Sequence, residues 1–283
     1  MNIRKTIDKD ELYKMYVIDR LLVADIGDHF GVSDATLRRI LRDHNIPKRK
    51  ATTKYTQNDD YFSVPNIENS YFAGFLAADG CISPAKGRHT TVLAIRLSAK
   101  DIGHLENFGQ LIQSTNTIRS HEVKISTNNV NNLKYKSSVY HQCVMQIYSE
   151  KICDDLTKNF NITPRKSLTL KPPVGLSDDQ TIAFILGYID GDGSVITKGD
   201  LRMSAIGTTE ILEWMRNEIQ RILRVDNPGT IAIIKSKNIV YRYYASARTV
   251  KALYTYGHAL NVPWLERKWG KVEQFIKPIP PVE

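Results

Sequence analysis

Cysteine is scarce in this chain: Cys81, Cys143 and Cys153 are odd in number and scattered, which excludes a disulfide framework or a zinc-ligand pattern. They read as reduced thiols with a packing role. Long apolar runs are missing too. The strongest, residues 72–78 and 184–189, fall far short of the roughly 20 residues that a membrane-spanning helix needs, so no membrane partner is expected. The opening MNIRKTIDKDEL lacks an apolar core and turns acidic early, so neither a secretory signal nor a typical transit peptide is expected, and a cytoplasmic location follows. The seven histidines form no close-spaced metal motif. Proline, at 11 of 283 residues, is too sparse for a disordered Pro-rich chain. Acidic residues are in deficit, with 30 Asp and Glu against 39 Lys and Arg, a formal charge of +9. Such a balance favours a polyanionic partner, nucleic acid first, with an anionic membrane the second candidate that the short apolar runs weaken.

What is present begins with a helical stretch over residues 1–50. Leu12, Met15 and Tyr16, then Ile26, Phe30, Val32, Leu37, Ile40 and Leu41, recur at helical spacing. Gly31-Val32-Ser33 stops one helix and starts another, with Gly31 as a left-handed residue and Ser33 as N-cap. The unit resembles a helix-turn-helix. Its second helix, from Asp34 to about His44, would expose Thr36, Arg38, Arg39 and Arg42, followed at once by Lys48, Arg49 and Lys50. A small helical hairpin that merely caps the next domain is the alternative. Residues 51–66 are polar and read as a linker, one that would lie along a nucleic-acid partner.

From residue 67 the chain states one pattern twice. YFAGFLAADGCI at 71–82 returns as FILGYIDGDGSV at 184–195, at a constant offset of 113 residues. Gly74, Asp79 and Gly80 recur as Gly187, Asp192 and Gly193. Strands are expected at 91–97, 117–125 and 139–148 with a helix at 101–112, then strands at 201–206, 230–234 and 240–245 with a helix at 209–223. Each half closes on a helix and a matching tail, in which Arg165-Lys166 answers Arg267-Lys268. Two α+β halves, 67–173 and 174–283, follow.

Within each copy an apolar helix ends in a carboxylate and a glycine, with small residues four apart: Gly74 and Ala78, Gly187 and Gly191. If the copies pack on each other, Asp79 and Asp192 arrive side by side at helix C-termini. Both the dipole and like-charge repulsion oppose that arrangement. A divalent cation resolves the conflict, since Mg²⁺ prefers carboxylate oxygens together with water and substrate phosphate. The alternative is Asp-Gly as an ordinary helix-ending turn.

FAGFLAADG and ILGYIDGDG resemble the two motif helices of the single-chain LAGLIDADG homing endonucleases, over residues 67 to about 277. The resemblance implies an α+β fold of two pseudo-symmetric αββαββα halves forming a DNA-binding saddle, in addition to the small all-α module. It implies a free-standing, monomeric, site-specific double-strand DNA endonuclease acting on a long asymmetric site. The cofactor would be Mg²⁺ or Mn²⁺, with Ca²⁺ binding without supporting cleavage. Metal would be held by Asp79 and Asp192 with the adjoining Gly80 and Gly193. The motif's other acid is Ala77 in one copy and Asp190 in the other, a variable position that does not bind metal. Lys166 and Lys268 would be the basic residue of each half, offsetting charge on the phosphate. The alternative for each is a solvated surface lysine. DNA contacts would come from Arg88, Arg96, Arg119, Lys124 and Arg165 in the first half. In the second they would come from Lys198, Arg202, Lys235, Lys237, Arg242, Arg248 and Arg267. Tyr241, Tyr243 and Tyr244 read equally as core or as contacts.

A different class stays open: a DNA-binding regulator or RNA maturase that keeps the scaffold without cutting. An intein is disfavoured by the MNIRK start and PPVE end, and the N-terminal module fits a bacterial or phage source.

Overall fold

The computed structural model describes residues 7–19, 21, 23–47, 55–84, 91–125, 138–234 and 240–276. They fall into two compact units, Met1–Lys54 and Tyr55–Glu283.

In the smaller unit α1 (Lys9–Tyr13) is capped by the Asp8 carboxylate, which accepts from the N–H groups of Asp10 and Glu11. The helix runs on as a π-helical turn, Lys14–Ile18. α2 (Val23–Phe30) and α3 (Asp34–Asp43) are joined through Gly31, at φ 65°, and Ser33, whose hydroxyl accepts from the Thr36 N–H. Ile7, Leu12, Tyr16, Ile26, Leu37, Leu41 and Ile46 make the core.

The larger unit opens with residues that the sequence reading assigned to a linker. From residue 55 onward that expectation is corrected. The Asn58 N–H donates to the Ile112 carbonyl at 2.7 Å, and the Thr115 N–H to the Thr56 carbonyl at 2.8 Å. Phe62 is fully buried against Phe108 and Phe160. Burying that ring is worth about 1.5–3 kcal/mol, which with those hydrogen bonds offsets part of the entropy cost of ordering the segment.

Then come α4 (Ile67–Asp79), β1 (Gly80–Pro84), β2 (Thr91–Ser98), α5 (Ile102–Leu111), β3 (Arg119–Ile125), β4 (Ser138–Tyr148) and α6 (Glu150–Phe160). The order repeats as α7 (Asp178–Asp192), β5 (Gly193–Ile196), β6 (Arg202–Gly207), α8 (Thr209–Leu223), β7 (Thr230–Ile234), β8 (Val240–Ala245) and α9 (Ala247–Leu260). A further helix, α10 (Glu266–Ile276), ends the described chain. Each half has a four-stranded antiparallel sheet, β1-β2-β4-β3 and β5-β6-β8-β7.

α4 and α7 each begin with a reciprocal capping box, Asn66 with Asn69 and Ser177 with Gln180. Both are apolar nearly all round, so both must be enclosed, and they enclose each other. A Cβ at Gly74 would run into the Phe184 carbonyl, and one at Gly187 into the Tyr71 carbonyl. Tyr71 and Phe184 are themselves equivalent by the 113-residue repeat, so the contact is reciprocal, as a pseudo-twofold axis demands. Ala78 and Gly191, also equivalent, touch at the axis. Gly80 and Gly193 do not make the left-handed turn that Asp-Gly suggests. Both are extended, at φ −79° and −102°, and each is the first residue of a strand.

Candidate active site

The helix pair fixes where its last residues go. With Ala78 and Gly191 in contact, Asp79 and Asp192 stand one residue further on, to either side of the axis. An Asp79 carboxylate oxygen lies 3.4 Å from where a Cβ on Gly191 would be. Burial pushes Asp79 up to about 6, and the neighbouring Asp192 charge adds to it, while Lys268 and Lys166 pull it back. Asp192 reaches solvent, yet the protein around it raises it as well, again opposed by the two lysines.

Lys166 and Lys268 are both buried, so neither is the solvated surface lysine that was the alternative. Lys268, in the first turn of α10, donates from Nζ to the carbonyls of Ile189 at 2.9 Å, Asp190 at 2.6 Å and Gly193 at 2.7 Å. Lys166, on a single 3-10 turn, donates to the Ala78 carbonyl at 3.2 Å. These contacts fall at the ends of α7 and α4, where a helix leaves carbonyls unpaired and the dipole is negative. Desolvation lowers both lysines, and Asp192 is the charge that most strongly opposes this at Lys166. A cleft of about 640 Å³ opens beside Lys166 and Asp192, walled by residues 167–171 and by Tyr188, Thr208 and Tyr241.

Two hard carboxylates on dipole-negative helix ends, with raised pKa values, form a donor set that fits a divalent cation. Among the described residues no cluster of three His, Cys, Asp or Glu side chains exists, so two carboxylates are the protein's acidic contribution there. Remaining ligands would be carbonyl, water or substrate oxygens. The Gly193 carbonyl is already an acceptor for Lys268.

Strand register sorts the expected contact residues. Arg96 and Arg119 both lie opposite Val144, so they share the face of the first sheet that is turned away from the core residues Leu97, Cys143 and Met145. Both are exposed. Arg202, Arg242 and Tyr244 share the corresponding face of the second sheet, with the Arg242 guanidinium 5.9 Å above the Tyr244 ring. Tyr243 is fully buried and Tyr241 packs against the core, so of the three tyrosines Tyr244 alone belongs to the open face. Lys198, in the turn after β5, and Arg165, at φ 59°, are exposed.

Three expectations are corrected. Arg267 is held by Asp101 in a two-pronged ion pair, Nε to Oδ1 at 2.6 Å and Nη2 to Oδ2 at 2.8 Å, which ties the halves together. Arg248 lies on α9, not on a strand, and faces Asp226 at 3.6 Å. Thr36 is half-buried, and its hydroxyl is bonded to Ser33 at 3.0 Å, whereas Arg38, Arg39 and Arg42 are exposed. Lys48, Arg49, Lys50, Arg88, Lys235 and Lys237 lie outside the described residues, as does the side chain of Lys124 in β3.

Asp190, a variable position without a metal role by the resemblance, has a buried hydrogen-bonding role that its local sequence does not show. It is 1% exposed, yet its carboxylate accepts from Tyr71 Oη at 2.8 Å, the Leu265 N–H at 2.9 Å and Trp269 Nε1 at 2.9 Å. Burial raises it to about 6, and those donors and Lys268 oppose the rise. A signal for it existed: the two copies differ at Tyr71 against Phe184, Ala77 against Asp190, and Ser167 against Trp269.

Two pseudo-symmetric halves, two open sheet faces and one acid-lysine centre on the axis define the architecture of this chain. It is similar in structure to LAGLIDADG homing endonucleases. The homing endonuclease I-WcaI bound to its DNA recognition sequence is 13% identical, with 80% of this chain and 96% of that one covered, at a TM-score of 0.49. The LAGLIDADG meganuclease I-AabMI bound to uncleaved DNA is 15% identical, covering 74% and 89%, at 0.43. Full-length DUF199/WhiA from Thermatoga maritima is 15% identical, covering 80% and 67%, at 0.42. No family model matches the sequence, and no curated protein sequence does.

Proposed function

We propose that this chain is a site-specific, divalent-metal-dependent DNA endonuclease that cuts both strands of a long duplex site as a monomer. The observation that carries the reading is the pairing of Asp79 and Asp192 at the pseudo-twofold axis, each within the field of two buried lysines. A structural ion cluster has no need to hold two carboxylates against both helix dipoles and each other. A phosphodiester hydrolase does.

Asp79 and Asp192 would hold the cation, Mg²⁺ or Mn²⁺, with backbone oxygens next to Gly80 and Gly193. Once bound, such a cation supplies an activated water and stabilises charge on the attacking and leaving oxygens of an in-line displacement. Lys166 and Lys268, held by carbonyls at fixed positions, would offset negative charge developing on the phosphate. Arg96 and Arg119 on one open face, and Arg202, Arg242 and Tyr244 on the other, would contact the duplex. Those two sets are not alike, so the recognised site should be asymmetric. A cytoplasmic, bacterial or phage-encoded protein acting as a homing enzyme is the biological setting that this reading favours.

Cleavage selection on a randomised duplex library with Mg²⁺ tests it. Cuts at one long site support the endonuclease. Tight enrichment without cuts, independent of metal, would replace it with a regulator that binds and does not cleave.

For the smaller unit we propose a helix-turn-helix role, with α3 in a groove. Deleting residues 1–54 should weaken binding and leave the cut itself in place. If Arg38, Arg39 and Arg42 each neutralise a phosphate, the slope of log affinity against log salt should fall by about 3. An unchanged slope would remove that role.

A further inference from the structure

The two half-sites are not equally built. Lys268 makes three hydrogen bonds, from an 11-residue helix. Lys166 makes one longer bond, from a three-residue turn. Behind Lys268 stands a buried assembly that crosses between the halves. The Asp190 carboxylate gathers Tyr71 from α4, the Leu265 N–H just before α10, and the indole of Trp269, the residue after Lys268. Arg267, on the other side of Lys268, is clamped to Asp101 of the first half. Lys268 is therefore bracketed in sequence by two residues that are each anchored through a side chain. The first half has Ala77 where Asp190 stands and Ser167 where Trp269 stands, so it lacks both members of the carboxylate-indole link.

Resting on the endonuclease reading above, we infer that Asp190 is a positioning residue for Lys268, and that the resulting inequality makes this enzyme cut one strand before the other. All three groups that reach the Asp190 oxygens are donors, and only an ionised carboxylate is acceptor-only. Replacing it by the isosteric Asn turns an N–H₂ group against at least one of those donors, which shifts α10 and with it the ammonium. A lysine whose task is to meet developing charge loses effect when displaced by a fraction of an ångström. Lys166, with no such support to lose, is unaffected.

The test uses the full chain, Mg²⁺ and a selected target duplex, with each strand carrying its own label so that the two cleavage rates are read separately. Wild type should nick one strand faster than the other. Asp190→Asn should slow the faster strand by roughly 10-fold, as loss of a supporting hydrogen-bond partner commonly does, and bring the two rates together. Tyr71→Phe removes a single hydroxyl from the same carboxylate and keeps the ring. It should act in the same direction to a smaller degree, which separates positioning from a folding defect. Equal strand rates in wild type, or equal slowing of both strands in Asp190→Asn, would overturn the inference and leave the endonuclease reading standing. A target that is bound but cut on neither strand would overturn both.

Discussion

Alanine at Gly187 is expected to destabilise the larger unit by on the order of 3–5 kcal/mol, a loss of the size that only a few mechanisms produce. The added methyl would collide with the carbonyl of Tyr71, a backbone atom in the middle of a helix that no rotamer change can move aside. Either the α4–α7 pair separates or the backbone bends, and both open the largest apolar contact between the halves. Gly103 supplies the control. It is exposed in α5 and nothing lies within 4 Å of where its Cβ would stand, so Gly103→Ala should be neutral or stabilising by up to about 1 kcal/mol. Urea unfolding of the two variants side by side decides the matter. A Gly187→Ala protein with an unshifted midpoint would mean that the helices do not meet as described.

Asp79→Asn and Asp192→Asn should each lower cleavage of the selected target by about 10²-fold or more, as removal of an essential group at a charge-stabilising centre does, with duplex binding retained. The less obvious half of this prediction concerns stability. Asp79 has a folded pKa of about 6 against 3.8 for the free side chain, so the fold holds its proton more tightly than the unfolded chain does. The contribution to stability is then full at low pH, falls as pH rises from about 4 to 6, and is a penalty above that. Asn carries no charge to penalise. Metal-free Asp79→Asn should therefore be harder to unfold at pH 7 by about 1–3 kcal/mol, and indistinguishable from wild type near pH 4. Thermal melts at the two pH values with a chelator check this, at about 2–4 °C for each kcal/mol. A variant that is less stable at pH 7 would show that the carboxylate has a favourable partner at the axis.

Much of this molecule was legible before its shape was known, and for a reason. The helix at 209–223 falls where periodicity placed it, because it is amphipathic and carries its own Thr208 cap, and the strands at 230–234 and 240–245 fall where runs of β-branched and aromatic residues placed them. The acid pair was legible because it is repeated. What escaped was whatever local sequence argues against or says nothing about. Asp-Gly is a good turn former, so the start of β1 at Gly80 and of β5 at Gly193 was open to misreading. There the close approach of Gly80 to the Leu76 carbonyl, 2.6 Å from where its Cβ would stand, is what demands glycine. Arg267 looked like a free cation because its partner, Asp101, is 166 residues distant. In VYRYYA aromatic residues stand at consecutive positions, so alternation alone cannot tell Tyr243 from Tyr244, and only the pairing with β6 and β7 does.

The direct passage from helix to strand at Gly80 and Gly193 has one more implication. Nothing elastic separates the acid at the end of each central helix from the strand that follows: Cys81 and Ser194, both exposed, are two residues beyond Asp79 and Asp192. Under the endonuclease reading, the first bases inspected and the bond broken are set by the same rigid piece of backbone, like the jaw and the scale of a caliper. New targets would then be acquired by exchanging side chains along the strands while the spacing between the two cuts stays constant. A residue inserted after either aspartate would change what no surface substitution can reach, the distance between reading and cutting.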